Sequence, residues 1–244
     1  MINKEHFENY FQPAYEYQNV VVLTGAGISA ESGLNTFRGE GGLWEGHPVE
    51  DVATPEAFER DPSLVYKFYN MRRRDLHKPI IKPNAAHVAL AKFEKNFTGN
   101  FLLVTQNVDN LHERAQSLNL RHMHGALLSV KTLRSGKAFP WTKDLDASCR
   151  VEGIDEPLRP DIVWFGEMPY HMDEIIKSLE KCDLFVAIGT SGHVYPASGF
   201  VSMVPPSCDT VEINLEATTV GSRFKRVIKG KASETVPEFF KVKT

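Results

Sequence analysis

The chain has 244 residues, a formal net charge of −3, 42% hydrophobic and 24% charged residues. This is ordinary globular composition, enough to bury a core as one large domain or one domain with a small insert. It provides no bulk positive field for nucleic acid and no apolar run of membrane-spanning length. The three scattered cysteines, Cys149, Cys182 and Cys208, form neither a disulfide framework nor a complete metal motif.

The opening stretch MINKEHFENYFQPAYEYQ is too polar for a signal peptide, and a reducing cytoplasm is the expected location. The first strand signal is VVVL (20–23), running into Gly25-Ala26-Gly27-Ile28-Ser29-Ala30. This fits G-x-G-x-x-G/A, in which glycines let the backbone approach a pyrophosphate and the next helix start favours negative charge. A glycine turn serving structure alone is the competing reading. Segment 36–80 breaks the rhythm, then turns helical. Within it FYNMRRRDL (68–76) puts Tyr69 and Arg72 on one helix face. Taken alone it reads as an amphipathic helix with three solvated arginines. Asn84 caps a helix through AAHVALAKFEK, in which His87 reads as packing or surface, as does His112 further on.

FLLV (101–104) ends in Thr105-Gln106-Asn107, and LFVAI (184–188) in Gly189-Thr190-Ser191. TVEINL (210–215) ends in Glu216, and MDEIIKSLEK (172–181) has helical spacing. Segment 125–160 lacks a strong buried strand and joins 36–80 as a smaller module, while DIVWFGE (161–167) reads as a plain buried strand. Apolar runs without alternation suit strands covered on both faces, and their alternation with helices predicts an α/β fold: a Rossmann-like doubly wound parallel sheet with a smaller inserted module. Ligands bind such sheets beyond the carboxyl ends of the strands, where the polar clusters fall. A hydride-transfer enzyme also needs an acid at the second strand end, about 20 residues on. Glu45 has the spacing, but NTFRGEGGLW before it is no strand; an acid at a strand end comes only at Glu216. A dinucleotide is therefore expected in a different arrangement.

GAGISAESGLNTFRGEGGLW (25–44), TQNVDNLHERA (105–115), HMHG (122–125), GTSGHVYPA (189–197) and NLE (214–216) resemble sirtuin motifs in sirtuin order. The resemblance spans nearly the whole chain and is nearest to bacterial CobB-type class III members, which remove acidic acyl groups. It implies a single catalytic domain over 1–244, with a large Rossmann-like part near 1–35, 81–124 and 161–244 and a small module from 36–80 and 125–160. The implied cofactor is NAD, consumed as co-substrate. Gly25, Ala26, Gly27, Ser29 and Ala30 would take the phosphates. Phe37, Arg38 and Trp44 would lie on the cofactor loop, with Phe37 shielding the reactive sugar carbon. Gln106, Asn107, Val108 and Asp109 would line the nicotinamide and ribose pocket. Gly189, Thr190, Ser191, Asn214, Leu215 and Glu216 would hold the adenosine half, under Ala232.

In the implied mechanism the acyl-lysine oxygen attacks the sugar carbon as nicotinamide leaves. His124 is the catalytic base that helps deprotonate a ribose hydroxyl, and water then releases lysine and O-acyl-ADP-ribose. His122 is the poorer match, because glycine follows His124. Tyr69 and Arg72 resemble the pair that recognises succinyl-, malonyl- and glutaryl-lysine: a guanidinium fork takes a carboxylate and a phenol adds a third bond. Acetyl activity is expected beside it. Substrate backbone would lie between Val163, Trp164, Phe165, Gly166 and Glu167 on one side and Gly192, His193 and Val194 on the other. Most family members hold four zinc-binding cysteines after the catalytic histidine; here Thr132 and Ser135 stand where two would be, and only Cys149 remains. No zinc is expected, with Leu133, Phe139, Trp141, Leu145 and Val151 packing the module instead. The expected partners are NAD and acylated protein lysines, with no nucleic acid and no membrane. The competing readings are an NAD-dependent ADP-ribosyltransferase on the same scaffold, a catalytically silent NAD sensor, and a dehydrogenase.

Overall fold

A computed structural model describes residues 12–34, 47–218 and 220–241. In chain order the elements are β1 (Asn19–Thr24), α1 (Ala26–Ala30), α2 (Val49–Val52), α3 (Pro55–Arg60), α4 (Pro62–Leu76), α5 (Ala85–Asn96), β2 (Asn100–Thr105), α6 (Leu111–Arg114) and β3 (Leu120–His122). They continue as β4 (Gly125–Thr132), β5 (Ala138–Pro140), β6 (Leu158–Ile162), α7 (Met172–Leu179), β7 (Leu184–Ile188), β8 (Asp209–Asn214), β9 (Arg226–Lys229) and α8 (Ala232–Phe239). No helix among the described residues is long and apolar enough to cross a membrane.

The six-stranded sheet has the order β3-β2-β1-β7-β8-β9 and every pairing is parallel. Each apolar run supplies both faces, because successive side chains point to opposite sides. Val20 and Val22 pack with Leu90 and Phe93 of α5 and Val236 of α8. Val21 and Leu23 pack with Ile175 and Leu179 of α7. Local signals set the helix starts. Thr54 and Asp61 accept from the backbone N–H of Ala57 and Leu64 at 3.0 Å, each followed by a proline whose missing N–H costs nothing there. The Asn84 side chain takes the Ala86 N–H, while the His87 ring takes that of Asn84.

The chain builds outward from β1 through β2 to β3, then returns to the other side of β1 as β7. The order therefore reverses between β1 and β7, which leaves a crevice at their carboxyl ends, by Thr24 and Ile188.

Segment 125–160 corrects the reading that it lacks a buried strand. It holds β4 and β5 and starts β6, in an antiparallel sheet ordered β5-β4-β6. All five residues of β6 are buried, yet two are charged. Arg159 forms two 2.7 Å bonds to Glu167, and Asp161 accepts from Ser129 and Tyr170. Paired burial of charge hides the strand from an apolar-pattern search. The DIVWFGE run is likewise a strand only to Ile162; from Val163 it is loop. Trp141 and Leu145 are buried in the module core, with Phe139 and Val151 packed beside it. Leu133 is 45% exposed and does not belong to the core.

Candidate active site

The crevice begins where β1 and β7 end. Gly25 N–H donates to the Ile188 carbonyl and Gly27 N–H to the Gly189 carbonyl, at 3.0 and 2.9 Å. A Cβ on Gly27 would lie 2.7 Å from the Gly189 Cα, and one on Gly189 would lie 2.4 Å from the Ile28 nitrogen. Both the structural and the ligand reading of these glycines thus have a basis. The two turns need them to close on each other, and that closure presents bare backbone to the crevice. Ala26, Ser29 and Ala30 follow on α1, a helix of only five residues.

The loop after β2 forms the floor. Asn107 Nδ2 donates to the Gly25 carbonyl and to Ser29 Oγ, each at 3.1 Å. Its buried Oδ1 finds no hydrogen-bond partner among the described residues. An unmatched buried amide oxygen is costly unless a ligand donor meets it, so the floor fits a dinucleotide carrying hydroxyl and amide donors. Ser29 Oγ donates to Asp109 Oδ2, and Leu111 N–H to Oδ1, both at 3.0 Å. Burial pushes the Asp109 carboxyl up, against those two bonds and the nearby His122. Val108 is buried and takes the Leu127 N–H on its carbonyl, tying this floor to the small sheet.

His87 and His112 are both buried, in packing roles, with rings 4.9 Å apart; His112 Nε2 meets Thr24 Oγ1 at 3.0 Å.

The adenosine set lies along the ends of β7, β8 and β9. Asn214 Nδ2 donates to the Thr190 carbonyl at 2.7 Å, and the Gly230 N–H to the Asn214 carbonyl at 3.0 Å. Ser191 Oγ accepts from the His193 N–H, while Leu215 and Glu216 are exposed on the turn after β8. Ala232 opens α8, and the adjoining Ser233 donates N–H and Oγ to the Glu31 carboxylate, which docks this helix start against α1. Gln106, Thr190, Gly192 and Val194 share a pocket with Leu23 and Ala197.

His124 occupies the joint between β3 and β4. Its Nδ1 lies 3.1 Å from the Gln106 carbonyl, which only accepts, so Nδ1 carries the proton and Nε2 is left as the acceptor. Burial lowers its pKa below the ordinary 6.5, against the opposing pull of that carbonyl. The ring is therefore a neutral base near pH 7. The next residue has to be glycine: Gly125 has φ +81°, and a Cβ there would lie 2.0 Å from the Asp161 carbonyl oxygen.

On the opposite wall, Val163 N–H donates to the His124 carbonyl and Phe165 N–H to that of Ala53. Trp164 N–H donates to Glu167 Oε2, and the Arg159 guanidinium lies 3.4 Å above the Trp164 ring. Phe165 is 52% exposed, and Gly166 has φ +93° at the turn. Trp164 Nε1 in turn donates to the Tyr69 hydroxyl at 3.0 Å. Tyr69 is fully buried, which pushes its pKa up and keeps the phenol in its donor form. Arg72 is buried with its guanidinium 3.5 Å over the Phe68 ring.

The picture of three solvated arginines on α4 is corrected, because only Arg74 is exposed, paired with Asp144. Arg73 is buried, donating to the Leu127 carbonyl and to Asn70 Oδ1. Phe37, Arg38, Trp44 and Glu45 lie outside the described residues.

Sequence reasoning missed Arg159, Glu31 and His122 as supports of the site. An Arg placed five residues before a Trp carries no motif. Only the HMH repeat, two histidines on alternate positions of one strand end, offered a signal.

The family model described as the Sir2 family matches residues 25–196. An NAD-dependent protein deacylase of Escherichia coli is 57% identical over 229 residues, 93% of this chain and 82% of that protein. One from Rhodopirellula baltica is 55% identical over 230 residues, 90% and 96% respectively. A solved Sir2 homolog–NAD complex superposes with a TM-score of 0.85 at 34% identity, covering 98% of this chain and 93% of that one. Sir2 bound to an acetylated peptide superposes with a TM-score of 0.76 at 26% identity over 91% and 92%. The switch-point crevice, its glycine turns and this agreement over nearly the full length lead to one assignment: the chain belongs to the Sir2 family.

Proposed function

We propose that this protein is an NAD-dependent protein-lysine deacylase that removes succinyl, malonyl and glutaryl groups and also acetyl. Bound NAD supplies a ribose carbon made electrophilic by its glycosidic bond to nicotinamide. The observation that carries the reading is the tautomer of His124. A half-buried imidazole with Nδ1–H fixed on Gln106 and Nε2 left as acceptor is arranged to take a proton from a ribose hydroxyl. Asn107 Oδ1 and the carboxylate of Asp109 orient the nicotinamide and ribose end, and the turns at Gly25–Gly27 and Gly189–Ser191 take the phosphates and adenosine. An extended acyl-lysine peptide fits along Val163–Glu167, with His193 and Val194 opposite.

Acid selectivity is supported by the buried pair on α4. The Tyr69 hydroxyl accepts from Trp164, so its own hydrogen stays available for a carboxylate, with the Arg72 fork beside it. A side-chain clamp of this kind also favours deacylation over transfer of ADP-ribose to an acceptor residue. Comparing kcat/KM on matched acetyl and succinyl peptides tests it. Arg72→Met is expected to lower desuccinylation about 100-fold, the cost of leaving a carboxylate unpaired in a buried site, and deacetylation far less. Equal losses on both peptides would remove the clamp.

Zinc does not fit the small module. The hydroxyls of Thr132 and Ser135 hydrogen-bond each other at 2.7 Å, and neutral hydroxyls beside one thiol are a poor donor set for structural zinc. The turn closes without it: Lys137 N–H donates to Thr132 Oγ1, and Glu156 Oε2 takes the N–H groups of Arg134 and Ser135.

A further inference from the structure

We infer that His122 is a positioning residue for the same reaction, a cationic clamp that holds the 106–109 loop in its ligand-binding shape through both ring nitrogens. The inference rests on the nicotinamide pocket proposed above. The geometry leaves little freedom of protonation. Nδ1 lies 2.9 Å from the Asn107 carbonyl and Nε2 lies 2.8 Å from Glu113 Oε1. A carbonyl and a carboxylate both accept, so both ring nitrogens donate, and a histidine with two N–H groups is an imidazolium.

The clamp has a defined target. His122 pairs in register with Thr105, where the loop leaves β2. Asn107, whose carbonyl it holds, is the residue that reaches across to Gly25 and Ser29. Glu113, on α6, closes the far side, so His122 links strand end, loop and helix at one point. Other charged and titratable groups surround it. Asp109 on the loop favours the cation, while His112 on α6 and His171 before α7 are lowered by burial first, with His122 adding a smaller push. Its neighbour Arg121 is occupied by two 2.7 Å bonds to Glu174. Burial works against the charge, but the Glu113 carboxylate and the Asn107 carbonyl outweigh it, and the pKa is raised above 6.5.

Two histidines separated by one residue are thus pulled in opposite directions, since His124 is lowered. Activity needs His124 neutral and His122 charged. It rises with pH through the lowered value and falls as pH passes the raised one.

The test follows the ring signals of His122 by NMR across pH in the full chain, assigned with His122→Gln, beside kcat/KM for NAD. The clamp is supported if His122 titrates above 6.5 and Glu113→Gln moves the alkaline limb to lower pH while the acid limb stays. His122→Gln is then expected to abolish that limb and raise KM for NAD about tenfold, the worth of a charge-assisted bond, with a smaller change in kcat. Titration at or below 6.5, or an alkaline limb indifferent to Glu113→Gln, would overturn the clamp itself. High titration with an unchanged KM for NAD in His122→Gln would instead overturn its positioning role, while the pocket itself rests on Asn107 and Asp109.

Discussion

The two sheets solve the same problem with different chemistry. The parallel sheet buries mostly apolar side chains on both faces, Glu212 of β8 excepted, and shapes its crevice with backbone, glycine turns, the Asn107–Asp109 loop and one neutral histidine. The antiparallel module buries Arg72, Arg73, Arg159 and Asp161, most of them within a few residues of the proposed acyl site. Generic chemistry is placed on a scaffold of backbone hydrogen bonds, which side-chain changes barely touch. The proposed acyl selectivity rests where buried side chains hold one another, and a single exchange there is felt.

The sharpest separation comes from the sheet side. His124→Ala is expected to lower kcat by about 100-fold or more on acetyl and succinyl peptides alike, the usual worth of a positioned base. Retained NAD binding by calorimetry would show the crevice intact; a loss confined to one acyl group would break the division of labour. Next comes the module. Arg73→Met takes the guanidinium from the Leu127 carbonyl and from Asn70 Oδ1, which keeps only the Leu145 N–H, a loss of about 1–3 kcal/mol measured by urea unfolding. The adjacent Arg74→Met, on an exposed pair, is expected to leave the unfolding midpoint where it is. Equal effects would mean that burial does not govern the module. The smallest expected effect is that of chelation. Dialysis against a strong chelator should change neither melting temperature nor activity, and metal analysis should find far less than one zinc per chain. Stoichiometric zinc would replace the Thr132–Ser135 turn with a metal centre.

This contrast also explains what the sequence disclosed. The runs at 20–23, 101–104 and 184–188 lie within strands because nothing but apolar burial shaped them, and the run at 210–215 fills β8 as far as Asn214. Asn84 marked its helix because a cap acts locally. β6 stayed hidden because its buried charged residues are matched by partners outside the strand: Arg159 by Glu167 and Asp161 by Ser129 of β4. Three successive arginines likewise looked alike on paper, and only tertiary contacts give them three fates. His122 was passed over for a related reason. Its role depends on a carbonyl 15 residues away and a carboxylate 9 away.

Gly125 joins these two worlds, with the base one residue before it and the antiparallel strand beginning at it. Because its missing side chain lets the β6 backbone sit against it, the junction itself transmits no bulk from one unit to the other. A chimera that grafts a different α4 together with a different 126–160 onto this chain should keep the base in place as long as that one residue is preserved, so acyl preference travels with positions 69 and 72 while the chemistry stays behind.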